Sequence, residues 1–218
     1  MQQRSSKLLY DYWNVMRKDR IAPERFEIEP AKIASLLPET FIAECGTSGR
    51  YRIRLAGTRI CSQMGRELRD SDLLEGWSAE DREALESLLH NVEESAAVAS
   101  VRFSACGDDG RSAWFEMTLL PLLHGGERVN RILGCLTAID PPFWLGTTPL
   151  GERKVIDFEL TWPKGAPSFI RRPARPVQGA SEGLSGAPAA ADAGGESRLK
   201  DDPRRRFRVY EGGLSGNS

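Results

Sequence analysis

At 218 residues and a formal net charge of -1, the chain can bury one sizeable core, and its charge gives no case for nucleic acid or an anionic membrane. No apolar run approaches the roughly 18–20 residues that span a bilayer, and the basic N-terminus lacks the long apolar region and cleavage site of a secretion signal. Cys45, Cys61, Cys106 and Cys135 lie far apart with no C-x-x-C pair, so they read as free thiols in a reducing, cytoplasmic setting.

Residues 5–18 set Leu8, Leu9, Tyr12, Val15 and Met16 on one face of an amphipathic helix, with Ser5 or Ser6 available as cap. Such a helix is not stable alone and must dock on a core or on a second copy of itself. In EIEPAKIASLLPE, Pro30 suits a first helical position, Ile33, Leu36 and Leu37 form a buried face, and Pro38 ends the helix. Residues 41–43 read as a strand, GTSG at 46–49 as a turn, and 51–56 as the hairpin partner. Tyr51, Ile53 and Leu55 alternate there with Arg52 and Arg54, the period of a half-buried strand. At Ala56-Gly57 the alternation stops. Ile60, Cys61 and Met64 then recur at helical spacing, with Gly65 as C-cap. A strand running through a glycine into a short helix makes a rim that suits a small pocket or a signalling surface.

From Gly65 to Trp77 the chain is polar and rich in turns. Ser78-x-x-Asp81 opens a helix over 79–95, whose buried stripe is Leu85, Leu88, Leu89 and Val92. Three strands follow: Val101, Phe103 and Ala105 in alternation, then 114–122, then 131–139, with glycine-rich turns between them. The order predicts an α+β fold, a five-stranded antiparallel sheet with helices on one face. The expected divisions are a helical extension (1–40), the core (41–145), a C-terminal extension of that core (146–163), a disordered linker (164–202) and a basic, aromatic tail (203–218). The linker is rich in Gly, Ala, Pro and Ser and cannot repay the entropy of ordering.

The phrases LYDYWNVMRKDRIAPERFEIEPAKIASLLPETF, YRIRLAGTRICSQMGREL and ILGCLTAIDPPFWLG, in that order, resemble the single-domain PAS-like proteins of alphaproteobacteria. The likeness runs over roughly residues 8–160, and VYEGG near the end is similar to a terminal segment that some of them carry. It implies a PAS fold, a bacterial sensory or interaction module that binds small ligands between helices and sheet, dimerises and signals through partners. Most familiar PAS sensors carry an output domain such as a histidine kinase or cyclase. No such motif occurs here, so output is expected to pass through a protein partner.

The candidate chemistry is thin. Haem-binding PAS sensors use a histidine on the long helix. His90 lies on that helix but at the edge of the Leu88-Leu89 face, and reads as a solvated residue, as does His124 in its turn. Light-sensing relatives use a cysteine within Asn-Cys-Arg-Phe. Cys61 stands instead in Arg-Ile-Cys-Ser, and reads as a packed residue. No cofactor or metal is implied. Ile60, Met64, Phe103, Trp114 and Met117 either line a cavity between sheet and helices or simply fill the core. Arg59 and Arg102 either orient an anionic ligand or are solvated.

Among enzyme motifs, G-x-S-x-G, H-E-x-x-H, the Walker loop and G-x-G-x-x-G are all missing, and the carboxylates fall at helix starts and turns. Arg171-Arg172-x-x-Arg175 is similar to the arginine motif of PilZ receptors but lacks its second half. The favoured reading is a non-enzymatic regulatory module working through protein contacts. Its partner or dimer surface is expected on the open sheet face and on Leu9, Tyr12, Trp13 and Met16, with Phe207 and Tyr210 beside the arginine run 204–206 as a docking segment. A ligand sensor of the same fold is the alternative, and a small carboxylate or arginine enzyme the second alternative.

Overall fold

The computed structural model describes residues 1–46, 49–164 and the backbone of 208–210. Helix α1 (Arg4–Arg17) leads into three short 3-10 turns, Arg25–Glu27, Pro30–Ile33 and Leu37–Glu39. Strands β1 (Thr40–Cys45) and β2 (Tyr51–Ala56) form a hairpin, followed by α2 (Thr58–Met64) and the long helix α3 (Ala79–Ser95). Strands β3 (Val98–Gly107), β4 (Ser112–Leu123), β5 (Val129–Ile139) and β6 (Leu150–Thr161) complete an antiparallel sheet. A three-residue strand, β7 (Arg208–Tyr210), pairs in parallel with β6, so the order is β2-β1-β5-β4-β3-β6-β7.

The local signals act as chemistry demands. Gly65 ends α2 at φ 67°, and its N–H bonds back to the last turn. Ser78 caps α3, its Oγ accepting from the Asp81 N–H at 3.1 Å. The segment with two prolines between residues 30 and 39 makes two separate 3-10 turns, not the single helix its apolar spacing suggests. Pro38 removes a donor and restricts the residue before it.

One expectation about the sheet is corrected. It has a sixth antiparallel strand, because β6 pairs with β3 over its whole length. The helices of the core keep to one face, and the N-terminal extension takes the other. α2 and α3 cover one side, burying Ile60, Met64, Leu85, Leu88 and Leu89 against Phe103, Phe115 and Met117. α1 covers part of the other, where Leu9 and Trp13 pack on Ile42, Leu120, Leu122 and Leu133. The inward stripe of α1 is Ser6, Leu9, Trp13 and Arg17, so Leu8 and Val15 are exposed. Trp13 fixes this rotation: it is fully buried, and its Nε1–H donates to the Pro121 carbonyl at 2.8 Å. Burying the indole outweighs the apolar count of the other face. Leu9 and Trp13 therefore offer nothing to a partner while α1 is docked. The expected linker lies outside the described residues save Lys164, as does Phe207. Tyr210 falls in β7.

Candidate ligand cavity

Between α2, the segment 66–77 and the sheet lies a cavity of about 20 Å³. Four residues singled out in the sequence, Ile60, Met64, Phe103 and Met117, meet there, all buried. Each arrives for a local reason. Ile60 and Met64 are one helical turn apart on the inner face of α2. Phe103 and Met117 sit on the inward phase of β3 and β4. Trp77 closes the far end, its ring centroid 5.0 Å from that of Phe103, which stacks in turn on Phe115 at 5.3 Å.

Three other candidates are elsewhere. Arg59 points outward from α2, its Nη1 donating to Glu39 Oε1 at 2.6 Å. Arg102 belongs to the opposite sheet face and forms a two-pronged ion pair with Asp157 on β6. Trp114 lies between Ala113 and Phe115, which both point into the core, so its ring is turned to the α1 side and is 53% exposed. The strand period decides the outward positions of Arg102 and Trp114, and the helical period that of Arg59. His90 is exposed on α3, and His124 is exposed beyond β4. Among the described residues no cluster of His, Cys, Asp or Glu could hold a metal ion.

The cavity's polar member is Arg153 on β6, which the sequence reading passed over. Its side chain is buried, with 7% of the residue exposed, and lines the cavity with ten apolar residues. The guanidinium carbon lies 5.9 Å from the centroid of the Trp77 ring. Nε is fully enclosed and has no hydrogen-bond partner among the described residues. Glu75, the carboxylate that acts on it, is held by Arg66 at 2.8 Å. Burial, with help from Arg66, pushes the Arg153 pKa down to about 10, so the group is charged at neutral pH. β-Bulges bring it inward. The register of β6 on β3 slips between Cys106 and Gly107, so Leu150 and Arg153, three apart, both face the core.

A PAS domain family model matches residues 1–137. The chain belongs to the PAS domain family. No curated protein matches it. Solved structures similar to this PAS chain include a light-oxygen-voltage domain, at 16% identity and TM-score 0.42, covering 50% of this chain and 83% of that one. A PAS domain from Colwellia psychrerythraea matches at 15% identity and TM-score 0.39, covering 50% and 95%. The PAS domain of an HTR-like protein from Haloarcula marismortui matches at 19% and 0.35, covering 53% and 95%. The fold is PAS-like, and membership of this family fits a sensory or regulatory module. Among the described residues no helix is long and apolar enough to cross a membrane.

Proposed function

We propose that this PAS module is a non-enzymatic, cytoplasmic regulator in bacterial signalling that acts through protein contacts, with the outward face of α1 as a contact surface. The observation that carries this reading is the distribution of apolar side chains. The cavity on the core side holds only about 20 Å³, whereas α1 leaves Leu8 at 45% and Val15 at 71% exposure, two turns apart on one face. Leu9 and Trp13, behind them, hold the helix to the sheet, so the face is presented on a fixed support. Tyr12 and Met16, both half-buried, border it, and the Tyr12 hydroxyl is engaged by the Glu29 N–H at 2.9 Å.

The form of contact to test first is self-association, since a symmetric pairing of one apolar face is the commonest oligomer. Light scattering coupled to size exclusion on the full chain is expected to show a dimer that L8E/V15E converts to a monomer. Both positions are exposed, so the folded protomer survives the change. A wild type that stays monomeric at all concentrations, or a dimer that ignores L8E/V15E, removes this face as the dimer surface.

A further inference from the structure

We infer that Arg153 makes the cavity a binding site for a small monocarboxylate with an apolar body. The inference goes beyond the contact function. It concerns a residue on β6, outside the stretch that the family model matches.

A buried guanidinium is expensive unless its charge and its N–H groups are met. Here the Nε–H is enclosed without an acceptor, and the local carboxylate is committed to Arg66. A trapped water does not resolve this. The cavity has room for about one, but a buried water needs two to four polar partners. Of the eleven lining residues, ten are apolar and the eleventh is Arg153. The Trp77 Nε1–H is already donated to the Leu73 carbonyl at 3.1 Å. Among the lining side chains a water would find one partner.

A carboxylate meets the arginine with a matching planar pair of acceptors and carries its own apolar surface for the remaining walls. The charge count sets the class. One cation in the lining balances one negative charge, which disfavours phosphate esters and dicarboxylates. At about 20 Å³ the cavity must widen to admit an apolar chain. Met64 and Met117, unbranched and adaptable, are the walls that can yield as a chain enters. Such entry would press on α2 and on the segment 66–77, which is tied to the sheet edge by backbone bonds such as the Arg153 N–H to the Gly76 carbonyl at 2.7 Å.

The test uses the full chain with octanoate, 1-octanol and inorganic phosphate as probes, read by calorimetry, thermal shift and methyl NMR of Met64 and Met117. Octanoate is expected to bind and raise the melting temperature, to move both methionine methyl signals, and to bind at least about tenfold more tightly than 1-octanol, the scale of a charge-assisted hydrogen bond. Phosphate is expected to do nothing. R153M should melt higher than the wild type without ligand, because an apolar isostere replaces an unmet charge, and should bind octanoate no better than octanol. R153K keeps the charge and should retain part of the preference, so it decides the matter even where R153M fails to fold. Equal binding of octanoate and octanol by the wild type, octanoate binding unchanged in R153M, a phosphate response without an octanoate response, or no octanoate binding at millimolar concentration would each overturn the assignment.

Discussion

At the scale of single residues, Gly76 shows how the cavity is assembled. It has φ +80°, a region where glycine alone is unstrained, and a Cβ there would overlap the carbonyl oxygen of Gly151. This close approach lets its own carbonyl accept from the Arg153 N–H and sets Trp77 beside the guanidinium. G76A therefore combines backbone strain with a backbone collision. The expected cost is about 2–4 kcal/mol of stability, measured by urea denaturation. Near-UV circular dichroism should lose part of the Trp77 signal in the same variant, since its packing on Phe103 depends on that approach. A G76A protein as stable as wild type would show that segment 75–77 can retreat from β6 at no cost.

At the scale of elements, α1 is held at its start by a side chain from the sheet. Its N-cap residue, Gln3, makes no side-chain cap. The Glu116 carboxylate on β4 takes that part, accepting from the backbone N–H of Gln2 at 2.6 Å and of Gln3 at 3.0 Å. A carboxylate at a helix N-terminus is favoured by the dipole as well as by the bonds. Glu116 is itself 1% exposed, so E116A should cost about 1–2 kcal/mol. Faster amide exchange should be confined to the first turn of α1, because Leu9 and Trp13 still anchor the rest. E116Q keeps one acceptor and should fall between the two. If exchange rises equally along α1 and β4, Glu116 supports the sheet rather than the helix end. This anchor was not legible in the sequence: Glu116 stands 113 residues from Gln3 and meets it only once β4 is placed. The same holds for Arg153. It sits in the charged run Glu152-Arg153-Lys154, where nothing marks one member as inward, and the bulge that turns it depends on the partner strand. What period and capping specify locally was legible: α3 from its leucine stripe and Ser78, α2 from Gly65, and the inward set Ile60, Met64, Phe103 and Met117. Trp114 falls outside that set because strand phase, not aromatic character, sets its direction. The rotation of α1 was misread because its deciding contact, Trp13 to Pro121, is likewise non-local.

At the scale of the whole molecule, the sheet carries an apolar layer on each side, and both layers contain protonated groups that resist ionisation. On the α1 side, burial pushes the Cys135 thiol up to about 11 from an ordinary 9.0. On the other side, Cys45 and Tyr51 face each other across the β1–β2 hairpin, and burial first, then the Glu93 carboxylate of α3, raises both. In each case the folded pKa lies above the unfolded one. The stabilisation is therefore complete below the unfolded value and is lost as pH rises toward the folded one. For Cys135 that window runs from about 9 to about 11, with a loss on the order of 2–3 kcal/mol across it. Cys45 and Tyr51 extend the decline further upward. Urea midpoints should accordingly be flat from about pH 7 to 8.5 and fall steadily above about 9. C135A should lower stability at neutral pH through the small cavity it leaves, yet decline less steeply in alkali. Adding C45A and Y51F should flatten the curve further. A triple variant with the wild-type slope would place the alkaline loss in other groups. The thiols make the same point kinetically: Cys135, buried and protonated, should react with a disulfide reagent only at the rate of opening, so that its labelling tracks stability as pH rises.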